Sequence, residues 1–148
     1  MSLSRVGARL RRFVTSRAKG LCEYCLIHED DTFYGCQIDH IISEKHGGPT
    51  TQENLAYACI FCNRFKGSDL GSVVPNTGEL VRFFNPRTDS WSKHFVLLSN
   101  MRIEPRTDIG TSTERILGFN ENRRLIERLV LHQNGRYPTP QAQDLISG

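Results

Sequence analysis

Two pairs of cysteines, each with the spacing CxxC, constrain this chain more than any other feature. They are Cys22 with Cys25 and Cys59 with Cys62. A CxxC turn directs both of its sulfurs towards the same point, so two such turns can enclose one tetrahedral zinc ion. Because the binding energy of a structural zinc ion is also folding energy, such a site stabilises a small domain. The spacing therefore predicts a structural four-cysteine zinc site.

The cysteine count argues against a framework of disulfides. The chain has five cysteines, an odd number, and its N-terminus is basic without the apolar core of a secretion signal. Paired CxxC spacing in that context favours zinc in a reducing compartment, and we expect a cytoplasmic protein. Cys36, the remaining cysteine, is interpreted as a small buried hydrophobe. His28 is expected at the surface, since four cysteines already complete a zinc shell.

Size and charge narrow the class of protein further. A chain of 148 residues with 38% hydrophobic and 24% charged residues is typical of one soluble globular domain. No apolar run approaches the roughly 18 residues that span a bilayer, so no membrane partner is expected. The net charge of +3 is mild, but the cations cluster locally, which favours binding to phosphates. The clustered residues are Arg5, Arg9, Arg11, Arg12, Arg17 and Lys19, then Arg115, Arg123, Arg124 and Arg128.

The stretch between the cysteine pairs predicts a strand, a loop, a second strand and a helix. The segment at residues 36–43 is short and rich in isoleucine, which indicates a strand. Residues 44–53 are rich in turn formers, which indicates a loop. A second strand is predicted from residue 54 to 57, and a helix from Asn63. In a regular strand, side chains alternate between faces, which would separate Asp39 from His40. If both serve one site, the end or twist of the strand must bring them together, or they approach the substrate from adjacent directions.

The flanking segments show helical and extended patterns. An amphipathic helix is predicted over residues 4–19, with Ser4 as its N-cap and with arginines that either form a solvated face or follow a phosphate backbone. Towards the C-terminus we predict strands at 79–84, 94–98 and 101–104, a helix opened by a capping box at 111–114, and a helix at 120–132.

Side-chain positions in the C-terminal part follow from the same patterns. The aromatic residues are expected in the core. They are Phe83, Phe84, Trp91 and Phe95. In the helix at 120–132 we expect the apolar side chains inward and the charged ones outward. The inward set is Leu125, Ile126, Leu129 and Val130, and the outward set is Arg123, Arg124, Glu127 and Arg128. Little order is expected after Gly135.

The segment DHIISEKHGGPTTQENLAYACIFCNRFK, preceded by the first CxxC pair, resembles the HNH endonuclease family. Asn63 stands where the family name would place a histidine. The resemblance implies an α+β fold with a ββα-metal (His-Me finger) core and a four-cysteine zinc site. It places that core at about residues 20–70 of a single domain, 1–148, flanked by the N-terminal helix. A strand and helix extension at 71–134 and a flexible tail at 135–148 would follow.

The resemblance also implies roles for individual residues. His40 would be the general base, a role that suits an imidazole near neutral pH. Asp39 and Asn63 would hold a catalytic divalent metal, because both side chains offer hard oxygen ligands. The metal would be Mg²⁺ or else Mn²⁺. Asn54 would complete the catalytic set by holding the segment of His40 in place. Arg64 and Lys66 are assigned contacts with phosphates of the nucleic acid. The resemblance gives His46 no fixed role, and it is interpreted as part of the turn or as a further nucleic-acid contact.

Two functions remain open from the sequence. The first is a metal-dependent endonuclease that hydrolyses phosphodiester bonds of DNA, expected to be double-stranded. The alternative is a non-catalytic zinc-binding module that contacts nucleic acid or protein. The presence together of Asp39, His40, Asn54 and Asn63 favours the nuclease, because a module kept for binding alone has no need of all four.

Overall fold

The structure, a computed structural model, describes residues 6–148, so Ser4 and Arg5 lie outside the described residues. The chain mixes short helices with three two-stranded antiparallel sheets. The helices are α1 Ala8–Ala18, α2 Ile60–Lys66, α3 Trp91–His94, α4 Asp108–Leu117, α5 Asn122–Gln133 and α6 Pro140–Ser147. The strands are β1 Cys36–His40, β2 Leu55–Cys59, β3 Gly71–Val73, β4 Leu80–Arg82, β5 Phe95–Leu97 and β6 Ile103–Pro105. None of the helices in this part of the chain is long and apolar enough to cross a membrane.

The hairpin of β1 and β2 lies between two helices. Its register places Asp39 opposite Ala56 and His40 opposite Leu55. Leu55 and Tyr57 pack against α1, whereas Ala56 belongs to the main core on the other face of the hairpin, where α2 lies. The predicted order of strand, strand and helix is therefore present. Helix α2 starts at Ile60, before the predicted start, because the chain turns directly from β2 into the helix at Cys59.

Helix α1 packs one face on the hairpin and exposes most of its arginines. It begins after Gly7, whose backbone is extended, so the N-cap differs from the predicted Ser4. Arg17 is used within the fold, because its guanidinium donates to the carbonyl of Gln52 at 2.9 Å and to that of Leu55 at 2.7 Å. The remaining described arginines of this helix are exposed, and they are Arg9, Arg11 and Arg12.

The C-terminal extension forms two further hairpins and the rest of the core. The prediction that Phe83, Phe84, Trp91 and Phe95 are core residues is confirmed. The capping box predicted at 111–114 is wrong, since those residues lie inside α4. The helix begins earlier because the hydroxyl of Thr107 accepts a hydrogen bond from the amide of Gly110 and caps it.

Helix α5 is rotated relative to the predicted orientation. Arg124 and Arg128 are only 3% and 2% exposed, whereas Ile126 and Val130 are 59% and 48% exposed. A guanidinium is buried when its donors find acceptors, and Arg128 donates to the carbonyl of Met101 at 2.9 Å. The prediction that these two arginines face outward is therefore wrong.

The chain after Gly135 is ordered, contrary to the prediction. Tyr137 is buried, and its hydroxyl donates to the carbonyl of Cys25 at 2.9 Å. Helix α6 follows, with the hydroxyl of Thr139 accepting from the amide of Ala142 at 3.1 Å. Thr139 and Pro140 form a favourable N-cap and first helical residue, a start signal that the low periodicity of this segment concealed.

Candidate metal centre and active site

Four cysteine sulfurs converge in the core. The Sγ atoms of the two CxxC pairs all lie within 4.8 Å of one another, and all four residues are buried. Cys25 and Cys59 have their sulfurs 3.8 Å apart, far longer than a disulfide bond of about 2.05 Å. A tetrahedron with Zn–S bonds of about 2.3 Å has edges of about 3.8 Å. The predicted four-cysteine cluster is confirmed, and its donor set and spacing fit a zinc ion. Cys36 lies outside it.

The protonation of these thiols depends on what the cluster holds. Burial raises the pKa of Cys22 and Cys62 well above the usual value, while hydrogen bonds from the other three cysteines lower the pKa of Cys25. A buried thiolate is unfavourable unless positive charge lies nearby. A bound dication supplies that charge and deprotonates the thiols that ligate it.

The carboxylate of Asp39 is buried between α2 and the first cysteine knuckle, the turn from Cys22 to Cys25. Its Oδ2 accepts from the hydroxyl of Tyr24 at 2.9 Å, and the Lys66 ammonium lies 3.3 Å from Oδ1 and 3.2 Å from Oδ2. Lys66 also donates to the carbonyl of His40 at 3.0 Å. Burial raises the pKa of Asp39, and Lys66 and Tyr24 partly offset that rise. Tyr24 was not predicted as part of the site, although its position between Cys22 and Cys25 places it near the zinc-ligand candidates.

Lys66 differs from its predicted place at a nucleic-acid surface. The residue is 1% exposed, and its ammonium group points into the fold. A buried ammonium needs an anionic partner, and Asp39 supplies one. The side chain is therefore part of the interior next to Asp39 and does not reach outward to a phosphate.

The ring of His40 is buried at the end of β1. Its Nε2 lies 2.9 Å from Thr50 Oγ1 and 3.5 Å from Glu44 Oε1. The other ring nitrogen, Nδ1, is buried and has no hydrogen-bond partner among residues 6–148. Buried polar atoms nearly always have a partner, so this nitrogen is available to accept or donate a hydrogen bond.

The contacts of Asp39 and His40 follow the strand alternation. Asp39 contacts Lys66 of α2, whereas the His40 ring contacts residues of the loop between the strands. The two side chains therefore leave β1 in different directions. The link between them is indirect, because the same Lys66 ammonium binds the carboxylate of one and the backbone carbonyl of the other.

Asn54 closes the loop that follows His40. Its Oδ1 accepts from the amide of Ile42 at 2.9 Å, and its Nδ2 donates to the carbonyls of Ile42 and Pro49 at 2.9 and 2.8 Å. The loop passes so closely that a Cβ atom on Gly48 would come within 1.7 Å of the Ile42 carbonyl oxygen. Only glycine fits at position 48, so Gly48 and Asn54 together fix the path of the chain just beyond His40.

The remaining predicted residues lie on α2 and in the loop. Asn63 donates through Nδ2 to Gln37 Oε1 at 2.6 Å, and its Oδ1 accepts no hydrogen bond from the described residues. Gln37 and Asp39 occupy the same face of β1, so α2 presents Asn63 and Lys66 to that face. Arg64 is exposed, and His46 Nε2 lies 3.0 Å from the carbonyl oxygen of Ser68.

A divalent cation at Asp39 and Asn63 is compatible with the donor chemistry. A carboxylate and a free amide oxygen are hard ligands of the kind that Mg²⁺ prefers. The cysteines form the one group of three or more potential His, Cys, Asp or Glu ligands in the described chain, so a second metal there would rely mainly on water and substrate oxygens. It would also compete with Lys66 for the carboxylate.

Comparison with known proteins identifies a family for this segment. Residues 22–69, about a third of the chain, match the HNH endonuclease family. The matched segment contains both cysteine pairs, Asp39, His40, Asn54 and Asn63, and the expected resemblance is confirmed. Neither the curated proteins nor the solved structures gave a match. Helices α4, α5 and α6 lie outside the matched segment.

Proposed function

We propose that this protein is a metal-dependent endonuclease that hydrolyses phosphodiester bonds of DNA with His40 as the general base. The state of the His40 ring carries the proposal. Thr50 holds one ring nitrogen, while the other is buried and unpaired. An imidazole held in this way keeps its free nitrogen aimed at one place, where it can take a proton from the attacking water.

The surrounding residues position His40. Asn54 hydrogen-bonds the loop immediately after β1, and Gly48 lets the chain pass close to Ile42. These contacts restrict the backbone just beyond His40. Lys66 holds the His40 carbonyl from the other side. Small displacements of a catalytic group cost large factors in rate, so contacts that fix His40 and the chain just after it suit the proposed role.

Two metals have separate roles in this proposal. Asp39 and Asn63 would hold Mg²⁺ or Mn²⁺, which would supply positive charge at the phosphate. Zinc stays out of the chemistry, because four sulfurs fill a tetrahedral shell and leave no position for water. Asp39 and Tyr24 connect the two regions, since Tyr24 lies within the first cysteine knuckle and hydrogen-bonds the carboxylate.

The proposed substrate contacts are electrostatic. Exposed arginines on α1 and α2 offer charge to a phosphate backbone, and they are Arg9, Arg11, Arg12 and Arg64. We expect binding to duplex DNA to weaken steeply as salt increases, because neutralising phosphates releases condensed counterions.

A plasmid assay tests the proposal. Zinc-loaded protein is incubated with supercoiled plasmid in Mg²⁺, in Mn²⁺ and without added divalent metal, and the zinc content is measured after each reaction. We expect open-circular or linear DNA only with Mg²⁺ or Mn²⁺. Uncut plasmid under all three conditions, with zinc retained, would contradict a nuclease.

That negative outcome would support the second candidate function, a non-catalytic zinc module that binds nucleic acid or protein. One observation favours it: Lys66 already neutralises Asp39, so the carboxylate has a cationic partner without any metal. Duplex binding without cleavage would identify the module as one that contacts nucleic acid.

Replacing Lys66 with methionine tests the proposed metal site. The change leaves the buried Asp39 carboxylate without its cationic partner. Breaking a buried salt bridge in this way costs about 3–5 kcal/mol of folding free energy. We expect the melting temperature to fall by roughly 10 °C without divalent metal. Mn²⁺ should then stabilise Lys66→Met more than the wild type, because no ammonium competes for Asp39. The measurement is thermal unfolding at increasing Mn²⁺ concentration.

The matched control is Lys45→Met, which removes an exposed lysine from the loop after β1. It should behave like the wild type with and without Mn²⁺. An equal response to Mn²⁺ in Lys66→Met and the wild type would count against Asp39 as a metal ligand.

A further inference from the structure

An arginine from outside the family segment contacts the four-cysteine cluster. Arg124 of α5 donates through Nη2 to Cys62 Sγ at 3.0 Å and lies 3.8 Å from Cys59 Sγ. Its Nη1 donates to the carbonyl of Leu117 in a short hydrogen bond. The guanidinium also lies near two aromatic rings, 5.6 Å from the Phe61 centroid and 5.9 Å from that of Phe119. The arrangement fixes the guanidinium against the sulfurs.

This guanidinium forms no salt bridge with a carboxylate of the described residues. Burial raises the pKa of the Glu127 carboxyl, and the charge of Arg124 is close enough to offset part of that rise, but the two groups are not in salt-bridge contact. The group is nonetheless almost completely buried. A charge in such a position requires an opposite charge close by, and the cysteine sulfurs are the groups that contact it. Arg124 therefore indicates that these sulfurs carry negative charge.

Zinc alone does not neutralise four thiolates. A dication bound to four singly charged sulfurs leaves a complex with two net negative charges, buried in the core. Hydrogen bonds and charges around the ligands tune how tightly such a centre holds its metal. A buried guanidinium on the sulfurs of the second pair lowers the energy of the charged complex.

We propose that Arg124 is a positioning residue of the zinc centre, which makes retention of the metal depend on the C-terminal extension. The guanidinium offsets part of the negative charge and holds Cys59 and Cys62 in place. The segment after Gly135 also contacts the first pair, because the hydroxyl of Tyr137 donates to the carbonyl of Cys25. Both halves of the centre are thus secured from outside the segment that matches the family. The inference rests on the proposed zinc ion.

Zinc release from the full-length, zinc-loaded chain tests this role. Arg124→Met is compared with Arg128→Met, which removes an equally buried arginine one turn further along α5 that bonds Met101 and Asn120 and makes no sulfur contact. The rate of zinc transfer to a chromogenic chelator is measured below the melting temperature of both variants. We expect release from Arg124→Met to be about 10–100 times faster than from Arg128→Met. Arg124→Lys, which keeps the charge, should fall between wild type and Arg124→Met.

Three outcomes separate the possibilities. Equal release from Arg124→Met and Arg128→Met, with zinc present in the wild type, overturns the role of Arg124 and leaves the zinc site standing. A wild-type chain that takes up no zinc with its cysteines reduced overturns the zinc site and this inference together. If Arg124→Met does not fold, Arg124→Gln against Arg128→Gln gives the same comparison, with the same difference expected and the same equality contradicting it.

Discussion

Replacing His40 with alanine is expected to reduce the rate of plasmid nicking in Mg²⁺ by about 10²–10⁴-fold, the range that general-base catalysis contributes. The reason is specific to one atom. Nδ1 is the ring nitrogen without a partner, and its removal leaves no group at that place to take the proton from water. Zinc content should remain unchanged, because the cysteine cluster makes no contact with this ring.

The matched control is His94→Ala. His94 is also a buried histidine, with its Nδ1 2.6 Å from Thr107 Oγ1, but it lies in the C-terminal extension. Truncation of either ring leaves a cavity, so both variants are expected to lose some stability. Only His40→Ala should lose nicking when both are assayed below their melting temperatures. Wild-type nicking by His40→Ala would refute the role of His40.

A second comparison separates the base from its support. Asn54 contacts backbone groups of the loop and not the His40 ring. Asn54→Ala should therefore lower nicking by loosening the loop, and it should lower the melting temperature as well, since it leaves buried backbone groups unpaired. A variant that lost nicking with no change in melting temperature would instead point to a direct role for Asn54 in the chemistry.

The local order of the cysteine segment was predictable because its signals are short in range. The CxxC spacing fixes two turns, isoleucine-rich residues indicate a strand, and glycine with proline marks the loop between the strands. Each signal lies within a few residues of the structure it determines. The four-cysteine cluster joins those pieces, and it too followed from spacing alone.

The orientation of α5 was not predictable from its own sequence. Its apolar residues recur at helical spacing, which favours burying Ile126 and Val130 and exposing the arginines. The structure does the opposite because each arginine has an acceptor from a distant part of the chain, in addition to one nearby. Cys62 lies 62 residues before Arg124, and Met101 lies 27 residues before Arg128. A periodicity argument treats arginine as polar and has no information about such partners.

Lys66 was misplaced for a related reason. Lys66 follows Arg64 by two residues, and the positive charge of both favoured a phosphate contact, although residues two apart on a helix do not share a face. Its burial depends on Asp39 lying on the face of β1 that α2 covers. The sequence alternation did predict that Asp39 and His40 would diverge. The alternation could not predict that the Lys66 ammonium would bind both the Asp39 carboxylate and the His40 backbone carbonyl.

Replacing Cys59 with serine is expected to abolish zinc binding and to destabilise the fold strongly. A structural zinc site contributes on the order of 10 kcal/mol, which is comparable to the whole stability of a domain this size. We expect elemental analysis to find about one zinc per wild-type chain and none in Cys59→Ser. The melting temperature should fall by more than about 10 °C, or the variant should be unfolded at 37 °C.

Cys36→Ser is the matched control, because Cys36 lies directly opposite Cys59 in the hairpin and outside the cluster. It should keep its zinc and nearly all of its stability. Zinc retained at wild-type levels in Cys59→Ser would refute the four-sulfur site.

Cys59→Ser should also lose nicking, although zinc is proposed to take no part in the chemistry. Cys59 is the last residue of β2 and adjoins α2, so a zinc ion bound there would fix the helix against the hairpin. Helix α2 carries Asn63 and Lys66, and Lys66 holds the backbone carbonyl of His40. Loss of zinc therefore releases the residues proposed to bind the second metal and frees the segment of the proposed base. Nicking by Cys59→Ser at the wild-type rate would show that the active residues keep their geometry without the zinc centre.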